Sequence, residues 1–172
     1  MIRNTIFFLS LFFGLASYGQ HGESALEKRI RDLEDRVALK NLVDTFSILA
    51  DQKKTTEQTL LFTENAQVET FVGGQKVSAL TGRNQIGEAF AGFLKNFDIV
   101  YHINGQQTIS IDGDKAYGIS YCAVTLIGNE NGKQVRTSIG VIYTDEFVRR
   151  NGRWLIGKRV SNFTWRDRLN MQ

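Results

Sequence analysis

Proline is absent from the 172-residue chain, and cysteine occurs once, as Cys122. The first absence removes cis-proline turns and proline-rich linkers. The second excludes an internal disulfide and any multi-thiolate metal site. Histidine is almost as scarce, with His21 and His102 only. A His-rich metal centre is therefore excluded, and His102 with Asp51 alone makes too poor a ligand set, so no metal is expected. Charge of one sign is not in excess either: 21 basic residues stand against 18 acidic ones. The basic residues are scattered, apart from Arg149-Arg150 and the pair Arg166, Arg168. A groove that tracks phosphates needs them clustered on one face, so no nucleic-acid partner is expected. There is no glycine-rich phosphate loop, no nucleophile elbow, no His-Glu metal motif and no internal repeat.

What remains is ordinary globular composition, 42% apolar and 23% charged, in a length that suits one domain with its own core. The first nineteen residues stand apart. Arg3 precedes the apolar run TIFFLSLFFGLA, and Ser17 and Gly19 are small residues at signal-peptidase spacing. Residues 1–19 read as a signal peptide cleaved after Gly19, and residues 20–172 as the single domain. The run is short for a membrane span, so the expected product is exported, periplasmic or secreted, with no membrane attachment after cleavage. An uncleaved anchor is the alternative reading.

Ser24 and Glu27 form a capping box that opens a long helix, with apolar residues at Leu26, Ile30, Leu33 and Val37 and on to Ala50. Its early part, LEKRIRDLEDRV, reads either as a short coiled-coil seam or as an amphipathic helix on a sheet, and leaves a homodimer contact open. A short second helix, capped by Thr55 or Thr56, is expected to run through Leu60, Leu61 and Phe62, with Thr63–Ala66 as a turn. Strands over 67–72 and 75–80 flank the Gly73-Gly74 hairpin signal, and a third helix runs from Thr81-Gly82 to Leu94. From Phe97 onward everything reads as strand, in four long segments at 97–111, 115–127, 134–149 and 153–163. Asp112-Gly113-Asp114 and Asn151-Gly152 turn the chain between them. Strands of this length coil, and the expected architecture is α+β: a strongly curved antiparallel sheet with three helices on its concave side, enclosing a small-molecule pocket.

His102 is the leading candidate for chemistry, because an imidazole is the side chain that exchanges protons near neutral pH. Asp51 sits at the C-terminal end of the first helix, where the dipole disfavours a carboxylate. That conflict marks either a functional residue or a solvated turn. On strand parity His102 and Asn104 share one face, Tyr121 and Thr125 share one, and Val141 and Tyr143 share one; parity does not say which of these faces is concave.

Five segments carry a family resemblance: LADQKK at 49–54, LFTENAQVETFVGG at 61–74, TGRNQIGEAF at 81–90, YHINGQQTISIDGDKAYGISY at 101–121 and YTDEFVRRNGRWLIGKR at 143–159. In this order they resemble the nuclear-transport-factor-2-like superfamily and its SnoaL-like branch, which implies a cone-shaped fold but no one activity. Against ketosteroid-isomerase-like proteins, Thr70 stands where the base carboxylate is expected and Val43 where the oxyanion tyrosine is. The epoxide-hydrolase Asp-Arg-Asp set has no counterpart. Scytalone-dehydratase-like proteins match better. Their helix-end Asp corresponds to Asp51 and their first-strand His to His102. Their third-strand Asn falls at Tyr143, and their C-terminal Trp segment is similar to Asn162–Trp165. Their two tyrosines fall at Ala50 and Thr70, and their second histidine at Thr125 or Leu126.

The resemblance thus implies a cofactor-independent dehydratase, with His102, Asp51 and Tyr143 catalytic. Tyr121, Thr125, Thr70, Asn104 and Trp165 are then expected to bind substrate. Export adds the expectation of a polar nutrient, a sugar or uronate-containing oligosaccharide, and so a place in carbohydrate degradation. Two other readings stand beside it. His102 and Asp51 are either a proton-transfer pair or a buried polar pair that only fixes the fold, and Tyr121 and Tyr143 are either hydroxyl donors or core aromatics. The pocket is then a non-catalytic binding site, or the chain is a homodimeric interaction module.

Overall fold

The computed structural model describes residues 24–171. The leader expected at residues 1–19 and His21 lie outside the described residues. The element order is α1 (Ala25–Asp51), α2 (Thr55–Thr59), β1 (Phe62–Val72), β2 (Gln75–Thr81), α3 (Arg83–Leu94), β3 (Ile99–Asp112), β4 (Lys115–Glu130), β5 (Lys133–Arg150) and β6 (Arg153–Asn170). The strands form one sheet in the order β2-β1-β6-β5-β4-β3. Every pair is antiparallel except β1 with β6. The four-strand meander is as the alternation and turn residues predict. Asn151 and Gly152 carry φ of 50° and 74°, the left-handed pair that a type I′ hairpin needs.

α1 starts where its capping box says it does: the Ser24 hydroxyl accepts from the Glu27 amide, and the Glu27 carboxylate accepts from the Ser24 amide. Its first half projects past the sheet and leaves Leu26, Ile30, Leu33 and Val37 exposed. From Asp35 onward one stripe, Leu39, Leu42, Val43 and Phe46, enters the core. The join to the sheet is polar as well as apolar. Arg149 holds the Asp35 carboxylate in a two-pronged pair at 2.6–2.7 Å, and the Trp154 indole donates to the same group at 2.9 Å. Burial works against the Asp35 charge, but Arg149 and Trp154 outweigh it and hold its carboxyl below the usual range.

The sequence expectations miss in three places. β1 begins at Phe62 and takes in the residues expected to turn, because an irregular register between Phe62 and Gln67 hides the alternation. α2 stops at Thr59, short of Leu60. β6 continues to Asn170, pairing Trp165–Asn170 with Gly140–Val135. That last stretch is largely exposed and charged, so hydrophobic alternation cannot mark it as strand.

The inner face of the sheet carries the core. The outer face is apolar in part: Tyr101, Ile103, Ile119, Tyr121 and Trp165 are each about half exposed there. Among the described residues no helix is long and apolar enough to cross a membrane.

Candidate active site

α1 ends at Asp51, and Gln52 caps it. Lys53 adopts φ of 54°, and the Lys53 and Lys54 amides turn back onto the Ala50 and Leu49 carbonyls. This left-handed stop fixes the last turn of the helix against β3. It aims Asp51 at the start of that strand. One carboxylate oxygen lies 2.6 Å from His102 Nδ1, and the other accepts from the His102 backbone amide at 3.3 Å. The carboxylate that looked misplaced at a helix C-terminus is thus held by the neighbouring strand. With Asp51 accepting, Nδ1 carries the ring proton and Nε2 keeps its lone pair. The His102 side chain is only 8% exposed. Burial pushes its pKa below 6.5; Asp51 opposes that shift and the Arg159 cation adds to it. His102 is therefore neutral and basic at neutral pH.

His102 lines a cavity of about 350 Å³. Most of the wall is apolar: Phe46, Phe90, Phe93 and Phe163 supply rings, and Val124 and Leu126 supply aliphatic surface. Polar groups are few, namely His102, Tyr143, Gln58, Thr70, Ser78 and Ser161. Tyr143 is buried on β5, and burial raises its phenol well above 10, so it stays a hydroxyl donor. Cys122 is buried beneath the same strands with its thiol pushed up to about 11, chiefly by burial, which leaves it inert.

Of the residues expected at the site, the structure brings His102, Asp51, Tyr143 and Thr70 to this cavity or its edge. It takes four others away. Tyr121 and Thr125 lie on the outer face of β4, because Cys122, Val124 and Leu126 occupy the inner one. Neither can bind a ligand in the cavity. Asn104 does face inward, but its amide is consumed by α1. It donates to Asp44 at 3.0 Å and to the Val43 carbonyl at 3.3 Å, and accepts from Ser47 at 3.1 Å. It clasps helix to sheet. Trp165 lies on the outer face over Gly140, since the register shift between Gly140 and Val141 flips the parity beyond Phe163.

Sequence reasoning missed two residues here, one behind the wall and one in it. Arg159 is fully buried and pairs with Asp145 through two 2.7 Å bonds. Its guanidinium lies 4.2 Å from the Phe46 ring centre and 4.3 Å from that of Tyr143. The signal was present: Asp145 alternates with Tyr143 and Phe147, and a carboxylate on an inner face requires a cation. Gln58 on α2 is the other. Among the described residues no cluster of His, Cys, Asp and Glu could hold a metal ion.

The fold has counterparts among known proteins. The chain is 26% identical over 132 residues to uncharacterized proteins of Mycobacterium tuberculosis and Mycobacterium bovis, covering 76% of this chain and 86% of theirs. A provisionally named scytalone dehydratase from Novosphingobium aromaticivorans superposes with a TM-score of 0.71 at 18% identity, covering 84% of this chain and 93% of its own. A hexachlorocyclohexane dehydrochlorinase of type 2 gives 0.70 at 18% identity, covering 82% and 93%. A type 3 dehydrochlorinase from Novosphingobium barchaimii gives 0.66 at 21%, covering 82% and 94%. At these identities the likeness concerns the fold, which is the nuclear-transport-factor-2-like cone. The family model for the SnoaL-like domain matches residues 31–160, and the chain belongs to that family.

Proposed function

We propose that this chain is a dehydratase, a carbon–oxygen lyase that removes water from a small, mainly apolar β-hydroxy carbonyl compound without a cofactor. One observation carries the reading: a neutral, tautomer-fixed His102–Asp51 pair at 2.6 Å opens onto a cavity with an apolar wall. His102 Nε2 takes the proton from the carbon beside the carbonyl. The electron pair moves toward the carbonyl oxygen, where the Tyr143 hydroxyl donates as negative charge develops. The imidazolium, stabilised by Asp51, then returns the proton to the departing hydroxyl. The carbon–oxygen bond breaks, the carbon–carbon double bond forms, and water leaves.

The wall redirects the substrate. A sugar or uronate fragment would lose water from many hydroxyls and find few partners among four phenylalanine rings. A fused or single apolar ring bearing the reacting hydroxyl and carbonyl suits the volume and the lining. The two neighbours named as dehydratase and dehydrochlorinase are named for eliminations, which supports the class of reaction.

The test is mass spectrometry and NMR on 3-hydroxy-1-tetralone and related β-hydroxy ketones. Loss of one water with the wild type, reduced about 10²–10⁴-fold in His102→Ala, supports the mechanism. Full activity in His102→Ala overturns it. The apolar cavity also favours a second reading, a non-catalytic binder of apolar ligands. That reading expects no turnover of any compound and only a modest change of affinity in His102→Ala.

A further inference from the structure

Leu26, Ile30, Leu33 and Val37 of α1 are 46–63% exposed. They recur at alternating spacings of four and three, the a and d rhythm of a heptad. At about 3.6 residues per turn they fall in one stripe of the helix. Asp35, Leu39, Leu42 and Phe46, which α1 buries, fall on the opposite side. The sheet of the same chain therefore cannot cover the stripe. The flanks are sorted by charge: Glu27 and Glu34 lie at e, Arg29 and Arg36 at g. Arg36 is taken by Asp32 of its own helix, whereas Arg29 and Glu34 make no ion pair with another described residue. Lys40 and Asp44 occupy the next d and a positions and pair with each other, so the stripe ends at Val37.

We propose that this chain pairs with a second copy of itself through residues 26–37 of α1, as a parallel two-stranded coil. Two features choose that occupant and that direction. Ile30 and Val37 are β-branched residues at a, and Leu26 and Leu33 are leucines at d, the combination that favours two parallel strands. Parallel alignment also sets Arg29 against Glu34 of the second copy, twice over by the two-fold symmetry. Antiparallel alignment sets arginine against arginine and glutamate against glutamate. Because each sheet lies on the far side of its own helix, the two domains do not collide. The contact is only about 18 Å long, small beside a standard interface, so the dimer is reversible. The inference is independent of the chemistry in the cavity.

The experiment is sedimentation velocity of the full chain up to high micromolar concentration, with circular dichroism to confirm that each variant is folded. The wild type should approach twice the mass of one chain. Ile30→Glu, which sets two like charges together at an a position, should stay monomeric. Tyr121→Glu, on the outer face of the sheet, should dimerise as the wild type does. Arg29→Glu should weaken the dimer by about tenfold or more, and Arg29→Glu/Glu34→Arg should restore it, since the exchanged pair is again complementary. A wild type that stays monomeric gives the stripe to another occupant and overturns the proposal. So does a dimer that survives Ile30→Glu, or one lost in Tyr121→Glu, which would place the interface on the sheet. Arg29→Glu pairing as tightly as the wild type, or more tightly, overturns the parallel register, as does a double variant no tighter than the single.

Discussion

Asp145→Asn should be among the most damaging conservative substitutions in this chain. Both Asp145 and Arg159 are 0% exposed, and their two 2.7 Å bonds are the only hydrogen bonds that hold the guanidinium within the described residues. A guanidinium does not shed its proton, so the variant cannot escape by neutralising the cation. The rings of Phe46 and Tyr143 on either side attract the charge but cannot replace a carboxylate. Removing one partner of such a pair costs about 3–5 kcal/mol. For a domain of this size, that corresponds to a fall in Tm of roughly 6–20 °C. Urea unfolding followed by circular dichroism reads the loss directly. The double variant Asp145→Leu/Arg159→Met, apolar and of similar volume, should lie much nearer the wild type than either single change. An Asp145→Asn protein within about 1 kcal/mol of wild type, or a double variant as weak as the two singles added, would refute the argument.

Two further predictions concern the sheet and the imidazole. Gly118→Ala places a methyl 2.7 Å from Ile109 Cδ1 and 2.9 Å from Phe147 Cε2 in the core, and should lower stability by about 1–3 kcal/mol in the same urea assay. His102 has a lower pKa folded than unfolded, so between the two values the unfolded chain holds more protons. Its contribution is present above pH 6.5 and is lost as pH falls through the folded value. A Tm series against pH should therefore show a steeper acid decline for the wild type than for His102→Gln, and parallel curves would contradict the buried, neutral ring.

Much of the architecture was legible because its signals are local. The capping box at Ser24 and Glu27, the glycine turns and the long alternations each depend on neighbours in the chain. The Asp51–His102 pairing was legible through the family resemblance; the carboxylate at a helix C-terminus broke a rule but by itself left a functional residue and a solvated turn equally open. Of the expected substrate-binding set only Thr70 reaches the cavity; the rest was not legible. β4 carries apolar or aromatic residues on both faces, Ile119 and Tyr121 outside, Cys122, Val124 and Leu126 inside, so its period does not say which face is concave. Trp165 was lost to a single register shift. Gln58 and Arg159 are polar residues that become conspicuous only once burial is known, since the same letters on a surface carry no information.

The parallel pairing of β1 with β6 has a consequence for biosynthesis. Val68 aligns with Arg159, Thr70 with Ser161 and Val72 with Phe163. These contacts join segments about ninety positions apart, and a closure of that span is slow compared with the hairpins between them. Thr70, Ser161 and Phe163 also line the cavity. On a translating ribosome α1, α3 and the first hairpin emerge well before their last partner strand. The receptacle therefore cannot exist until synthesis of the final strand is nearly done, and a nascent chain stays unable to hold a ligand until that moment.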